Sequence, residues 1–352
     1  MEALARLQKK VAGKADLLLI ASESNIRYVT GVSEVSGVVV IPAHQDPFIL
    51  TSVMEKPRLA NVGMEVLSVG KTGDIQKKKT LLALKEELER RKIRHSTVAV
   101  EKKQISASLW EKASRMTKRT VDFTDELARM RMIKQPEEIR NVKVAASIGD
   151  AGIRAARESI RAGMTEHELA RQIEYEMRRR ADWFSFMTIV GSGPNSAIPH
   201  HTISDRKIRK DDLVVVDIGA IYKGYCSDIT RTMCLKPGPR ERSIHAAVLT
   251  AQKLAISRAM PGAAAKSVDL AARSFLKKAN YVVPHSIGHG IGIDIHELPS
   301  ISPDSKDVLR PGMVFTVEPG AYIEGYGGVR IEDMILLTHK GRIILTKSPR
   351  CL

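Results

Sequence analysis

The first third of the chain alternates short apolar runs with amphipathic stretches. Residues 15–21, 35–42 and 47–51 are apolar runs bounded by turn-forming residues, a pattern that predicts strands. Residues 75–92 carry apolar positions at helical spacing among many charges, 97–100 form another strand pattern and 107–116 another helical one. Alternation of this kind predicts an α/β domain, ending near residues 129–134. Gln135-Pro136 then marks a break, because the residue before a proline is driven out of helical geometry. Pro136-Glu137-Glu138 reads as the first turn of a new helix, with proline in its first position and carboxylates near the positive end of the dipole. The expected division is 1–132 and 133–352.

The second part opens with two long helical patterns, 136–161 and 165–180, the latter introduced by Thr165-Glu166-His167-Glu168 in the form of a capping box. Strand patterns follow at 188–190, 213–222 and 227–235, then helices at 242–260 and 268–279, then a strand-rich stretch almost to the end. This order repeats itself. Helix, Arg161-Ala162-Gly163 and the helix holding Leu169-Ala170 correspond to helix, Met260-Pro261-Gly262 and the helix holding Leu270-Ala271. Leu213-Val214-Val215-Val216-Asp217-Ile218-Gly219-Ala220 aligns with Met313-Val314-Phe315-Thr316-Val317-Glu318-Pro319-Gly320-Ala321 once one extra residue is allowed, which sets Asp217 against Glu318. A second acid follows on the next strand of each copy, Asp228 after 11 positions and Glu332 after 14. Two copies of strand, acid, turn, strand, acid predict a pseudo-two-fold pair with four carboxylates at one centre.

Four converging carboxylates cannot all stay ionised unless cations compensate them, so a metal site is expected. His289, in Gly288-His289-Gly290-Ile291-Gly292, is the fifth candidate donor, and its flanking glycines leave room for a close backbone approach. Carboxylates with one imidazole suit Mn²⁺, Co²⁺, Fe²⁺ or Zn²⁺ and are poor for a soft thiolate-binding ion. Two such ions, roughly 3.5 Å apart, acidify a shared water and polarise a carbonyl, which is peptide-hydrolysis chemistry. Taken alone, Asp217 reads as an acid at a strand end and His289 as an isolated histidine. Five donors in apolar strands do not fit independent solvated positions, since a buried acid needs a partner.

Length and composition narrow the class further. A chain of 352 residues favours two domains, and 43% hydrophobic with 27% charged residues is ordinary for a soluble globular protein, which excludes a disordered or fibrous design. No apolar run approaches the roughly 20 residues of a membrane span, and residues 1–11 are amphipathic without the apolar centre of a secretory signal. A cytoplasmic protein with no membrane partner is expected, and Cys226, Cys234 and Cys351 form no paired framework. The net charge of +16 could attract nucleic acid, but the basic excess is spread over both parts. Lys77-Lys78-Lys79, Arg90-Arg91-Lys92 and Arg178-Arg179-Arg180 stand in helix-period sequence beside glutamates and read as solvated faces, so no specific nucleic-acid partner is expected. Gly191-Ser192-Gly193-Pro194 lacks the strand, glycine turn, helix order of a dinucleotide site.

Val216-Asp217-Ile218-Gly219, Ser227-Asp228-Ile229-Thr230-Arg231-Thr232, Gly288-His289-Gly290-Ile291-Gly292, His296-Glu297, Thr316-Val317-Glu318-Pro319-Gly320 and Gly328-Val329-Arg330-Ile331-Glu332-Asp333 together resemble the pita-bread metallopeptidases. That family includes prolidases, Xaa-Pro aminopeptidases and methionine aminopeptidases. The resemblance covers nearly the whole chain, strongly in the second part and by size and pattern in the first. It implies an α/β N-terminal domain and an α+β pita-bread (creatinase/aminopeptidase) domain with an internal pseudo-two-fold repeat. It implies two divalent metal ions, Mn or Co foremost and Zn or Fe compatible. Asp217 would chelate one, Asp228 and Glu332 would bridge the pair, and His289 with Glu318 would hold the other. Glu318 would also shuttle protons, His200 and His296 would hold the substrate and stabilise the tetrahedral intermediate, and Arg330 would anchor the carboxylates from behind. His201 receives no role.

The N-terminal domain sets the chain apart from minimal methionine aminopeptidases, and the five retained donors set it apart from creatinases and inert binding members. Short peptides with proline in second position are the expected substrates, and a homodimer the expected assembly. Many prolidases carry an arginine after His-Glu-x-Pro that can clasp a dipeptide carboxylate, and here that position is Ser300. The sequence reading therefore ranks Xaa-Pro aminopeptidase first, Xaa-Pro dipeptidase second, and a non-catalytic nucleic-acid or protein-binding member of the fold third.

Overall fold

The computed structural model describes residues 2–69 and 77–352, and the chain forms two compact units, Met1–Arg129 and Met130–Leu352. The first unit is built on a six-stranded mixed sheet in the spatial order Glu65–Ser68, Phe48–Thr51, Gly37–Pro42, Leu17–Ile20, Thr97–Val100, Arg119–Asp122. Leu17–Ile20 is apolar at every position because it lies inside the sheet and is buried on both faces. Leu84 and Leu88 of the helix Lys77–Arg90 pack with Leu17, Val40, Phe48 and Val98 in one core. The predicted start of that helix at Ile75 lies outside the described residues, as do the side chains of Lys77, Lys78 and Lys79. Sequence periodicity missed the helix Glu23–Thr30. It is held through Asn25, which is buried and donates to Glu101 from 76 residues away.

The second unit contains the repeat. In the first copy the helices Pro136–Ser159 and Glu166–Arg178 pack against a three-stranded sheet, Ile229–Met233, Val214–Ile218, Ile189–Ser192. In the second copy Pro239–Arg258 and Ala265–Lys278 pack against five strands, Glu297–Ile301, Gly288–Gly290, Val314–Val317, Asp333–Thr338, Gly341–Ile344. The capping box before the second helix is formed, Glu168 N–H meeting Thr165 Oγ1 at 3.1 Å and Thr165 N–H meeting Glu168 Oε2 at 2.8 Å. The single strand expected over 213–222 is broken at Gly219, where a Cβ would stand 2.2 Å from the Ser227 carbonyl oxygen. The chain folds back there into the short strands Ala220–Tyr222 and Tyr225–Cys226. The second copy makes the same excursion through Gly320–Ile323 and Gly327–Arg330.

The two copies are sewn together where their last strands begin. Glu332 N–H donates to Thr230 O at 3.1 Å, and Arg330 N–H donates to Thr232 Oγ1 at 3.0 Å, whose hydroxyl returns to Arg330 O. Arg231, 1% exposed, donates to Asp333 Oδ1 at 2.7 Å and to the Glu332 carbonyl. Among the described residues Cys226 and Cys234 are buried, Cys351 is exposed, none of the three is in a disulfide, and no helix is long and apolar enough to cross a membrane.

Candidate metal centre

The repeat positions the acids by strand geometry. Asp217 is the penultimate residue of Val214–Ile218 and pairs across with Thr230, while Glu318 follows Val317, whose partner is Asp333. Asp228 and Glu332 each stand just before the strand that returns. Each copy therefore presents one acid at the end of an outgoing strand and one at the start of the returning strand, and joining Thr230 to Glu332 brings both ends together.

Asp217, Asp228, His289, Glu318 and Glu332 line one cavity of about 820 Å³, together with His200, His201, His296 and Arg330. Donor atoms of Asp228, His289 and Glu332 all lie within 4.8 Å of one another. His289 Nε2 is 3.5 Å from Asp228 Oδ2 and 3.3 Å from Glu318 Oε1. Its other ring nitrogen lies 3.0 Å from the Gly290 carbonyl, which directs Nε2 to the acids. His289 and His296 are edge to face, with ring centroids 4.3 Å apart.

Three of the four carboxylates are held by one oxygen. Asp217 Oδ2 accepts from Arg330 Nη2 at 2.6 Å, Glu332 Oε2 from Thr230 Oγ1 at 2.8 Å, and Glu318 Oε1 from Thr316 Oγ1 at 3.1 Å. Asp217 Oδ1, Asp228 Oδ1 and Glu332 Oε1 are buried and have no hydrogen-bond partner. Such atoms are costly in a protein interior unless a cation meets them. Burial, then the neighbouring Asp217 and Glu318, push the Asp228 carboxyl well up; burial, then Asp228, Glu318 and Asp217, do the same to Glu332. Burial opposes the Arg330 charge, but Tyr322 and Asp217 outweigh it and hold the guanidinium ionised. Burial and the nearby His289 push the His296 imidazole down, which favours a neutral ring able to donate one N–H. Hard oxygens with one imidazole fit borderline-hard divalent ions, and the orphaned oxygens are where such ions would bind.

The sequence reading missed three members of this region. His285 Nε2 shares a hydrogen bond of 2.8 Å with Tyr322 Oη, which accepts from Arg330 Nη1 at 3.0 Å, so both sit behind Asp217. Glu166, named only within the capping-box sequence, is fully buried and paired with His201 at 2.8 Å. No local spacing marks these three, because their partners come from distant segments. Ser300 lies across from His289 in the strand pair and hydrogen-bonds Ser302 Oγ at 2.9 Å.

Known proteins place this geometry in a family. Residues 140–339 match the model of metallopeptidase family M24, and residues 4–133 match the creatinase/prolidase N-terminal domain. An Xaa-Pro dipeptidase of Pyrococcus furiosus is 46% identical over 230 residues, 64% of this chain and 66% of that protein. The crystal structure of a prolidase from Pyrococcus horikoshii superposes with a TM-score of 0.91 at 34% identity, covering 99% of both chains. That of an X-Pro aminopeptidase from Thermotoga maritima superposes with a TM-score of 0.88 at 34% identity, covering 98% of this chain and 99% of that one. These matches show the expected pita-bread architecture behind a creatinase-type N-terminal domain, and the chain belongs to metallopeptidase family M24.

Proposed function

We propose that this chain hydrolyses the bond between an N-terminal residue and a following proline in short peptides, using two divalent ions held by Asp217, Asp228, His289, Glu318 and Glu332. The observation that carries this reading is the set of buried, unpartnered oxygens of Asp217, Asp228 and Glu332 facing His289 in a cavity shared with His200 and His296. Similarity to proteins named Xaa-Pro dipeptidase and prolidase moves dipeptides ahead of longer peptides, reversing the ranking that Ser300 suggested from sequence. Cleavage of longer peptides stays the second reading, supported by Ser300 and by the likeness to the Thermotoga aminopeptidase. The division is read as a creatinase-type domain of residues 1–132 and a catalytic domain of 133–352, in a cytoplasmic homodimer with manganese or cobalt.

Divalent ions at the five donors would polarise the peptide carbonyl and acidify the attacking water. Glu318 takes the proton from that water and delivers it to the departing proline nitrogen, a role suited to a carboxylate 3.3 Å from His289 at the cavity wall. His200 and His296 donate to the carbonyl oxygen as its negative charge grows. Arg330 fixes Asp217 through Nη2 and leaves its other oxygen directed to the centre.

The test is hydrolysis of Met-Pro, Met-Pro-Ala and Met-Ala-Ala by metal-stripped protein with Mn²⁺ or Co²⁺ restored, with Glu318→Gln as control. Cleavage of the proline peptides by wild type alone supports the proposal, and the ratio of dipeptide to tripeptide turnover separates the two readings. No cleavage under any metal rejects it in favour of a binding member of the fold, which steeply salt-dependent nucleic-acid binding would then identify.

A further inference from the structure

Glu166 opens the helix Glu166–Arg178 and is completely buried. Capping of that helix is already done by Thr165 and Glu168, so the buried charge serves something else. Oε1 accepts from Ser192 N–H at 2.8 Å, Ser192 Oγ at 2.7 Å and Asn195 Nδ2 at 3.0 Å. Oε2 meets Ser204 N–H at 3.0 Å, Ser204 Oγ at 2.6 Å and His201 Nε2 at 2.8 Å. None of these six donors belongs to the helix. All lie between residues 192 and 204, the strap that carries His200. Burial works against the charge of Glu166, but hydrogen bonds from Ser204, His201, Ser192 and Asn195 outweigh it and keep the carboxyl below its ordinary value.

The strap is gripped from its other side by Arg330, whose Nη1 donates to Pro199 O at 3.2 Å. Gly193, at φ +52°, lets it turn tightly beside Arg206 and Asp212, where a Cβ would lie 2.5 Å from each. His200 itself is exposed and makes no hydrogen bond among the described residues, so the backbone on either side of it sets its place. We propose that Glu166 is the positioning residue for His200: through His201, Ser204 and Ser192 it fixes the strap so that the His200 ring meets the substrate carbonyl. This rests on the reading of His200 given above, and it assigns His201 the role of a strut.

Glu166→Gln replaces one acceptor oxygen by an amide that faces donors. Kinetics on Met-Pro should show kcat down roughly ten- to a hundredfold, the scale expected for a misplacement near 1 Å, with KM and bound Mn²⁺ within twofold of wild type. The substitution should cost nothing further in a His200→Ala background and its full factor in a His296→Ala background. Backbone amides of residues 192–204 should exchange faster with deuterium. An undiminished loss in the His200→Ala background, or unchanged kcat despite faster exchange, overturns the proposal. Should Glu166→Gln fail to fold, Ser204→Ala removes one of the six bonds and must show a smaller loss with the same dependence on His200. If the wild type cleaves no Xaa-Pro peptide, the functional reading fails by itself; unaltered exchange in Glu166→Gln separately overturns the strap assignment.

Discussion

At the scale of single residues the centre sets carboxylates of opposite behaviour side by side. Asp228 and Glu332 are pushed up by burial first and then by neighbouring carboxylates, Asp217 and Glu318 acting on both. Without metal the fold therefore binds protons that the unfolded chain would release above the ordinary carboxylate range, and their contribution to stability falls as pH rises through that window. Wild type compared with Glu332→Gln in chelator should show this as a gap that shifts against wild type by up to about 1.4 kcal/mol per pH unit for one proton. Saturating Mn²⁺ should abolish the trend; urea unfolding at several pH values reads both. Glu297 is the reverse case. Burial raises its carboxyl, but Lys134, at 3.1 Å, and Arg131 outweigh it and hold the pKa down. Its contribution is full above the ordinary glutamate value and is lost as pH falls through the depressed one. Glu297→Gln leaves the buried Lys134 without its carboxylate and Arg131 with Asp294, and should cost about 3–5 kcal/mol at pH 7, shrinking as pH falls below the ordinary glutamate range, a difference measurable by the same unfolding series.

At the scale of elements, the candidate metal centre depends on strands that approach too closely for side chains. A Cβ on Gly288 would stand 2.0 Å from the Thr316 carbonyl oxygen, backbone against backbone. Gly288→Ala therefore has to part the strands that carry His289 and Glu318. We expect a loss of about 1–3 kcal/mol from overpacking and metal affinity lowered at least tenfold, measured by isothermal titration with Mn²⁺. A variant that retains wild-type affinity would show that the strands slide apart without moving His289. The same elements show what a linear reading captures. The run from Val214 to Ile218 was legible because apolar strand residues are interrupted by a single acid, and the copy at 313–321 repeats it. The break at Gly219 was not legible, since the obstructing atom, Ser227 O, is brought there only by the fold-back.

At the scale of the molecule, the net charge of +16 divides between two compact units, only one of which holds the centre. Ions that bind the folded state alone stabilise it by about 2.7 kcal/mol at a hundred times Kd, which for a unit of this size raises Tm by roughly 5–10 °C. The two tryptophans make the test specific: Trp110 lies in the first unit and Trp183 in the second. With Trp110→Phe and Trp183→Phe proteins, Mn²⁺ should raise the transition reported by Trp183. Equal shifts from both tryptophans would mean that the units unfold together.

The sequence by itself determined most of the order of elements, the internal repeat and the five candidate metal donors, because each is encoded by residues adjacent in the chain: apolar periodicity, an acid at a strand end, a histidine between glycines. It also carried the resemblance from which His200, His296 and Arg330 were drawn. Tertiary structure alone decided which acids keep a bare oxygen and which are neutralised. Asp217 and Glu297 are both carboxylates in strand-like surroundings, yet Arg330 reaches Asp217 from 113 positions away and Lys134 reaches Glu297 from 163. Glu166 makes the point most sharply. Along the chain it stands only within a capping-box sequence, and it becomes a buried anchor only because the chain returns 26 to 38 residues later with six hydrogen-bond donors. Burial and pairing are properties of residues that meet in space, and no pattern along the chain records them.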